Sequence, residues 1–487
     1  MKTSILKQIQ ILLPAVGMIF TLATTAWAGH DLESSIDEIV NAREGYGLFS
    51  GSILVAQNGE IVYSRSVGDA NKEYHIPNSG QTRYNISSIS KCFLATLTMQ
   101  LIQSGQIELT DPITRFFPDC SISNASGIQI QHLLNHSSGL GDYRGTPEYE
   151  ELAAVAETID DILPLVFDLE PLFAPGEHIR YSNAGVLLEK AIIERVTGLP
   201  LPMVMTDRIL KPLGLNDTAH FIGGNLLENR ATAYRRAAEP GEYVRVLSEP
   251  SAYTGGGIYT TAGDLLRFAQ SFDTEQLLNA DHIKIMTTPV GPDKITAFGW
   301  FIESRHGTTI VGHAGGSGGF ASQMRRYPSE GFDLIVLSNC ESGGYELTDD
   351  IEAAILGQSY ELVTERDRDY QFGLGLQQNR SYEHALMYFE KNIQGNRPHM
   401  LSLYQAAKTR ILGKFEGATA VSRIDRYIEL ADEMTRPSLA AAYWRKGMAL
   451  ELEGDSERAI VAYKRCLDLD PTFVESREAL AKLGVVE

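Results

Sequence analysis

The chain has 487 residues, of which 43% are hydrophobic and 21% charged, and this is the composition of a folded globular protein rather than a disordered one. Its formal net charge is −20, from 42 basic and 62 acidic residues, so its surface repels phosphates and anionic lipid. Nucleic acid and acidic membranes are therefore not expected partners. Domains usually span roughly 100–200 residues, so the length predicts two or three domains.

The first element in chain order is a candidate signal peptide at residues 1–28. Lys2 and Lys7 give it a positive start, an apolar stretch follows, and Ala26-Trp27-Ala28 fits the small-x-small cleavage rule. We expect cleavage before Gly29 and a periplasmic or secreted protein with no membrane span after cleavage. The alternative is an uncleaved membrane anchor.

Two clusters of β-strands are predicted in the first two thirds of the chain. Residues 50–67 contain β-rich runs on either side of Asn58-Gly59, a strong hairpin signal because both turn positions tolerate positive φ. The second cluster is predicted at Phe298–Trp300, Thr308–Val311, Ala321–Tyr327 and Phe332–Ser338. Mostly helical and loop segments lie between the clusters. The predicted fold class is α+β, with an antiparallel sheet flanked by helices and a helical subdomain, over residues 29–360.

From residue 361 to residue 487 the sequence changes to alanine, leucine, tyrosine and charged residues at helical spacing. The positions typical of a 34-residue tetratricopeptide repeat are filled by Tyr443, Gly447, Leu450, Ala459, Tyr463 and Pro471. The same offsets recur at Gly373, Leu376, Ala385 and Phe389, and residues 400–430 have room for a degenerate repeat between the two. We expect an all-α repeat domain in which small residues allow close helix packing, with a generic helical tail as the alternative. Such repeats can bind a protein or peptide partner.

The first chemical motif is Ser88-Ile89-Ser90-Lys91, an S-x-x-K sequence opening an apolar helix that is predicted to run to Gln103 and to end at Gly105. Residues three apart share one face of a helix, so the Lys91 amine can lie beside the Ser88 hydroxyl. A serine hydroxyl needs a base to take its proton, and a buried lysine serves when its pKa is lowered. The alternative is an ordinary helix cap followed by a surface lysine.

Two more motifs follow along the chain. Tyr181-Ser182-Asn183 precedes an apolar helix, where a tyrosine can relay a proton and an asparagine can orient the lysine and the substrate; it is equally typical of a turn before a helix. His313-Ala314-Gly315-Gly316 ends a strand-like run from Thr309 to Gly312. Glycines after a strand let a substrate backbone lie against its edge, and their N–H groups can bind an oxyanion. The alternative there is a glycine-rich hairpin turn.

The order S-x-x-K, Y-x-N, H-x-G resembles the serine β-lactamase and penicillin-binding protein superfamily, in particular its class C-like branch with esterases and D-peptidases. Four further phrases support the resemblance, at residues 133–140, 175–177, 255–265 and 298–300. It covers about residues 35–358 and stops before the repeats. It implies a β-lactamase-like sheet domain and a helical domain with the site between them, and a hydrolase needing neither metal nor cofactor.

By that resemblance Ser88 is acylated, and Lys91 and Tyr181 accept and donate the protons that this requires. Asn183 orients the lysine and the substrate. The backbone N–H groups of Ser88 and Gly316 form the oxyanion hole, and Gly315 lies beside it in the substrate-binding strand. β-Lactamases usually carry lysine where this chain has His313. An unperturbed histidine has a pKa of about 6.5 and lacks the steady charge that helps hold a β-lactam carboxylate. The substrate expected is therefore an ester, an amide or a D-amino acid peptide, with a β-lactamase or DD-carboxypeptidase as the alternative.

Three other interpretations compete with this site. Ser317 lies in a G-x-S-x-G sequence, but that nucleophile elbow needs a following helix and the next segment is strand-like. His132 and His136 stand four apart like zinc ligands on a helix, without the accompanying glutamate. The third alternative is an inactive penicillin-binding-like sensor or interaction module.

The four cysteines, Cys92, Cys120, Cys340 and Cys466, allow three disulfide pairings in an exported protein, and the sequence does not choose among them. Cys92 lies in the apolar helix and is expected to be a small core residue.

Overall fold

The computed structural model describes residues 32–485 except for Gly145, Ala154, 222–225, 238–241, 247–256, Pro292, 341–342, 396–397, 433–434, Arg436 and Thr472. The predicted signal peptide and part of the 255–265 phrase lie outside the described residues. Among the helices that are described, none combines the length and the apolar composition that crossing a membrane requires.

The described strands are β1 (Gly51–Gln57), β2 (Glu60–Val67), β3 (Asp69–Asn71), β4 (Ile76–Pro77), β5 (Tyr84–Asn85), β6 (Ala219–His220), β7 (Tyr234–Arg236), β8 (Tyr243–Arg245), β9 (Ile258–Thr260), β10 (Phe301–Arg305), β11 (Thr308–Ser317), β12 (Phe320–Tyr327) and β13 (Phe332–Ser338). The helices of the first two thirds are α1 (Leu32–Gly45), α2 (Ser90–Gln103), α3 (Ile130–Leu134), α4 (Pro147–Ala153), α5 (Ile159–Phe167), α6 (Asn183–Thr197), α7 (Leu201–Met205), α8 (Lys211–Leu213), α9 (Ala262–Gln270), α10 (Ala280–Met286) and α11 (Gly343–Ile355). The remainder of the chain contains α12 (Glu365–Gln378), α13 (Tyr382–Ile393), α14 (Met400–Gly413), α15 (Gly417–Leu430), α16 (Leu439–Leu452), α17 (Ser456–Leu469) and α18 (Val474–Lys482).

The central element is an antiparallel sheet whose described strands lie in the order β10-β11-β12-β13-β1-β2. The predicted hairpin is present: Asn58 has φ 50° and Gly59 has φ 88°, as a two-residue turn of this twist requires. β1 also pairs with β13, with Leu54 opposite Ile335. The sheet is therefore closed by strands from both ends of its domain, which confirms the predicted antiparallel α+β architecture.

Each face of the sheet has its own apolar core, because successive side chains of a strand point to opposite sides. Val55 and Val336 pack under α1 and α11. Leu54 and Ile335 face α2, α9 and the helical subdomain. A helix with apolar residues on every side is buried, and almost all of α2 is. This helix ends, as predicted, before Gly105, whose φ is 70°.

The segment Phe298–Trp300 corrects one strand prediction. β10 begins only at Phe301, and the preceding residues pack on α2 instead of pairing in the sheet. Gly299 has φ 76°, and a β-carbon there would lie 2.4 Å from Ala95 Cβ. The glycine is needed for this close approach of the chain to α2.

The C-terminal helices pack as antiparallel pairs, α12 with α13, α14 with α15 and α16 with α17. A β-carbon on Gly373 would lie 2.6 Å from the Phe389 ring, and one on Gly447 would lie 2.3 Å from the Tyr463 ring. The predicted small residues thus allow the close packing within their helix pairs. The middle pair occupies the position predicted for a degenerate repeat.

The repeat helices also contact the sheet domain through α12. Gln371 donates a hydrogen bond to Glu346 in the first turn of α11. The Arg235 guanidinium on β7 donates to Asn379 Oδ1 at 3.0 Å. α12 therefore lies against two elements of the sheet domain.

All four cysteines lie in the described part of the chain, and none of them forms a disulfide bond there. Cys92 is fully buried and its Sγ donates to the Gly299 carbonyl at 3.1 Å. The expectation that Cys92 is a core residue is confirmed.

Candidate active site

Ser88 lies in a short 3₁₀ turn, Ser87–Ile89, that joins β5 to α2. Ser87 has φ 48°, which is unusual for a residue with a side chain and is typical of strained turns at functional sites. Asn85 Oδ1 stabilises the turn by accepting a hydrogen bond from the Ser87 N–H at 2.8 Å. The turn leaves Ser88 partly exposed at the start of a buried helix.

Lys91 lies directly beside Ser88, as the spacing predicts. Its Nζ is 3.1 Å from Ser88 Oγ, and the residue is only 2% exposed. Burial, followed by the positive charges of Lys190 and Arg144, lowers the pKa of Lys91 to about 7. A large fraction of this amine is therefore neutral at physiological pH and able to accept a proton.

A buried polar cluster that was not predicted from the sequence lies beneath Lys91. Thr98, two turns along α2, donates to Glu189 Oε1 at 2.8 Å, and Lys190 is 1% exposed on the same helix as Glu189. Burial lowers the pKa of Lys190 to about 8. The signal was available, because Glu189 and Lys190 interrupt an otherwise apolar run in α6.

Tyr181 completes the surroundings of the Lys91 amine. Lys91 Nζ lies 4.9 Å from the centre of the Tyr181 ring. The residue is 40% exposed, yet burial raises the pKa of its phenol to about 12, with a hydrogen bond to Ser88 acting in the opposite direction. His136, considered from the sequence only as a possible zinc ligand, packs on Tyr181 with 4.5 Å between ring centres.

Asn183 is the first residue of α6, after Ser182, whose Oγ caps the helix by accepting from the Gly185 N–H at 3.0 Å. The Asn183 carboxamide donates to Asp142 Oδ2 at 3.4 Å. Asp142 also pairs with Arg144 at 2.7 Å. Asn183 is therefore buried and held by Asp142, and the described residues show no hydrogen bond between Asn183 and Lys91.

The segment from His313 to Gly316 lies inside β11 and does not follow a strand, which corrects the predicted strand end. β12 pairs with it throughout, whereas the pairing with β10 stops at Gly312. A β-carbon on Gly315 would lie 2.0 Å from the Ile86 carbonyl and 3.3 Å from the Ser88 N. The strand can approach the Ser88 turn this closely only because position 315 has no side chain.

His313 is a neutral imidazole in this environment. Its Nδ1 is 2.6 Å from the Ala314 carbonyl, so Nδ1 carries the hydrogen and donates it. Burial, followed by the Lys91 charge, lowers the pKa of His313 to about 3. Nε2 is buried and has no hydrogen-bond partner among the described residues. The expected change of charge near pH 6.5 does not hold for this histidine.

Ser88, Tyr181 and His313 border a cleft of about 490 Å³ that extends from Ser88 across β10, β11 and β12. Its lining consists of Ser88, Tyr181, Phe301, Glu303, Arg305, Ile310, Gly312, His313, Ala314, Gln323 and Arg325.

The rival sites lack their required geometry. Ser317 ends β11 and is followed by another strand, β12, so the strand–turn–helix of a nucleophile elbow is not formed. α3 ends at Leu134, so His136 is not on the same helix as His132. No group of three metal-ligating side chains is found within the described ranges.

Comparison with known proteins shows which family the chain belongs to. The family model described as Beta-lactamase matches residues 36–358. The chain belongs to the β-lactamase family. A tetratricopeptide repeat model matches residues 440–473 of this β-lactamase-family protein.

Its relatives include a penicillin-binding protein, an esterase and a D-amino acid amidase. A penicillin-binding protein of Bacillus subtilis (strain 168) is 29% identical over 66% of this chain and 75% of the relative. Esterase EstB of Burkholderia gladioli is 30% identical over 48% of this chain and 68% of the relative. The structure of a D-amino acid amidase from Ochrobactrum anthropi SV3 superposes with a TM-score of 0.60 at 26% identity, over 67% of this chain and 99% of that chain. The chain is thus a serine hydrolase of this family.

Proposed function

We propose that this chain is an exported hydrolase that forms an acyl-enzyme at Ser88 and acts on an ester, an amide or a D-amino acid peptide. The proposal is carried by the 3.1 Å contact between Lys91 Nζ and Ser88 Oγ, in surroundings that lower the pKa of Lys91 to about 7. A neutral amine at this distance accepts the serine proton as Oγ attacks a substrate carbonyl. The Ser88 and Gly316 N–H groups would bind the resulting oxyanion.

Tyr181 has the properties of a proton donor in this scheme. Its pKa of about 12 keeps the phenol protonated at neutral pH. It can donate its proton to the leaving group, and the protonated Lys91 then passes the proton taken from Ser88 to the Tyr181 phenolate. A water molecule then hydrolyses the acyl-enzyme with the same groups acting in reverse.

The cleft favours substrates without a carboxylate next to the reacting bond. His313 is uncharged and presents Nε2, an acceptor that repels a carboxylate oxygen. The two arginines of the lining are already paired: Arg305 with Glu303 at 2.7 Å and Arg325 with Glu352 at 2.7 Å. Neutral esters and amides, the substrates implied by the names of two relatives, have no carboxylate for His313 to repel. A β-lactamase or DD-carboxypeptidase remains the second candidate, supported by the penicillin-binding relatives.

Export is proposed from residues 1–28, whose sequence has the features of a cleaved signal. Mass spectrometry of the protein from a periplasmic or culture fraction should find Gly29 as the first residue. An intact Met1 in a membrane fraction would refute cleavage.

The nucleophile is tested by labelling with a fluorophosphonate and measuring intact mass. Ser88→Ala should abolish the adduct and nearly all ester hydrolysis without lowering the melting temperature, because the Ser88 hydroxyl is the attacking group. Ser317→Ala is the matched control, a serine on the adjoining strand, and should label normally. An adduct in Ser88→Ala that disappears in Ser317→Ala would transfer the role to Ser317. No adduct and no hydrolysis in the unmodified protein would favour the inactive sensor.

A further inference from the structure

A second cavity, of about 490 Å³, lies between the β3–β4 hairpin and residues 229–232, and it shares no lining residue with the cleft at Ser88. Its volume is within the range of roughly 300–1,000 Å³ that is typical of small-molecule sites. Most of its lining side chains carry hydroxyl, carboxamide or charged groups. Because a polar group removed from water needs a hydrogen-bond partner, such a lining suits a ligand rich in polar groups.

The first wall of this cavity, the β3–β4 hairpin, is fixed by hydrogen bonds. Asn71 Oδ1 accepts from the Tyr74 N–H at 2.9 Å within the hairpin loop, and Asn71 Nδ2 donates to Thr232 Oγ1 at 3.2 Å on the other wall. The Lys72 N–H donates to the Tyr234 hydroxyl at 2.8 Å. The loop that carries Tyr74 is therefore attached to the rest of the domain at two points.

The second wall, residues 229–232, is fixed by backbone hydrogen bonds. The Arg83 N–H donates to the Asn229 carbonyl at 2.9 Å, and the Ala231 N–H donates to the Arg83 carbonyl at 2.9 Å. Asn229 has φ 56°, a conformation that asparagine adopts more readily than most residues with a side chain. Both walls are thus in place before any ligand binds, so the cavity is preorganised.

Tyr74 lines the cavity from the hairpin loop and is 75% exposed, although the loop itself is fixed. Ile76, which also lines the cavity, is 52% exposed. Large exposed apolar side chains gathered at a cavity indicate a binding site. The Tyr74 ring is therefore available to stack on the C–H groups of a ligand.

Planar polar side chains surround this ring. Glu73 and Arg245 form an ion pair at 3.5 Å, and their side chains are 43% and 49% exposed, so both keep hydrogen-bonding capacity for a ligand. Asn229, also exposed, adds a carboxamide with donors and an acceptor. Carboxylate, guanidinium and carboxamide groups of this kind can each bind two neighbouring hydroxyls at once.

We propose that this cavity binds an oligosaccharide of β-linked hexopyranoses, with Tyr74 stacked on a sugar ring and Glu73, Arg245 and Asn229 bonded to its hydroxyls. A hexopyranose with equatorial hydroxyls presents C–H groups on its faces and hydroxyls around its edge. That arrangement matches an exposed aromatic ring beside planar polar side chains. Because this site shares no residue with the hydrolytic cleft, the inference does not depend on the acyl-enzyme at Ser88.

The test is isothermal titration calorimetry of the whole chain with two trisaccharides, cellotriose and chitotriose, at least one of which should bind. Tyr74→Leu removes the ring and should raise Kd roughly 3- to 10-fold, whereas Tyr74→Phe keeps the ring and should change Kd by less than about twofold. Asn229→Gly removes the carboxamide, permits the positive φ, and should raise Kd roughly 3- to 10-fold. Asn124→Gly is its matched control, an exposed asparagine outside the cavity with φ 58°, and should leave Kd unchanged.

Melting temperatures show whether each variant is folded. Failure of the unmodified protein to bind either trisaccharide would overturn the proposal. Unchanged affinity in folded Tyr74→Leu and Asn229→Gly variants would also overturn it, because the sugar would then bind elsewhere. Equal losses in Tyr74→Leu and Tyr74→Phe would show that the ring does not stack on the sugar, and would overturn the site as described.

Discussion

At the scale of single residues, the Lys91 amine sets the expected pH dependence. Its pKa is lowered to about 7, and only the neutral form can accept the Ser88 proton. Below pH 7 we expect kcat/KM to rise about tenfold for each pH unit, and above about pH 7 to level off. His136 and His313, with pKa values near 3, and Tyr181, near 12, add no step between pH 5 and 9.

Substitutions of two neighbours of Lys91 are expected to shift the pH dependence of kcat/KM in opposite directions. The Lys190 charge lowers the pKa of Lys91, so Lys190→Met should move the rising limb to higher pH. The Glu189 charge raises that pKa, but burial raises the pKa of Glu189 itself to about 7, so Glu189 is only partly charged there. Glu189→Gln should therefore move the limb to lower pH by less than the Lys190 variant moves it, while keeping a partner for Thr98. Shifts in the same direction would mean that general destabilisation, not charge, causes them; melting curves provide the control.

His313 determines the expected preference against β-lactams. His313→Lys should raise kcat/KM for a chromogenic cephalosporin by about one to two decades, since a hydrogen bond to a charged group contributes ~1.5–3 kcal/mol. The kcat/KM of the same variant for a neutral p-nitrophenyl ester should not rise. For the unmodified protein the ratio of the two rates should be constant from pH 5.5 to 8, because His313 remains neutral. A cephalosporin that is already the better substrate of the unmodified protein would contradict this account.

At the scale of elements, the repeat helices depend on glycines at their contacts. Gly373→Ala would place a β-carbon 2.6 Å from the Phe389 ring and should lower the free energy of unfolding by ~1–3 kcal/mol, the usual cost of overpacking. Gly375→Ala, in the same helix, meets no atom closer than 4.0 Å and should be neutral or stabilising through its helix propensity. Denaturant unfolding measures both variants. Equal effects would argue against close packing as the reason for Gly373.

At the scale of the whole molecule, the repeat helices contact the hydrolase domain through α12 and contribute none of the side chains described around Ser88. A chain ending at Gln358 should still label with fluorophosphonate, since Ser88, Lys91 and Tyr181 all precede that point. Its melting temperature should fall, because Gln371 no longer binds Glu346 and Asn379 no longer binds Arg235. A soluble, folded truncation that does not label would show that the repeats complete the site.

Much of this molecule follows from local sequence alone. Asn58-Gly59 determined a hairpin because few residue pairs adopt two positive φ values, and S-x-x-K placed Lys91 beside Ser88 because a helix repeats every 3.6 residues. The spacing of Gly447 and Tyr463 indicated a repeat because the glycine must face that ring. Each inference needed only contacts within one element or between consecutive elements.

Other features were decided by packing between distant segments. β11 continues through Gly316 because β12 pairs with it and because the Ser88 turn occupies the space of a side chain at Gly315. The neutrality of His313 and the lowered pKa of Lys91 come from burial, which depends on the whole fold. Tyr345 meets Gly316 only because α11 lies over the sheet. Periodicity along a chain carries no information about such encounters, so only the tertiary structure could decide them.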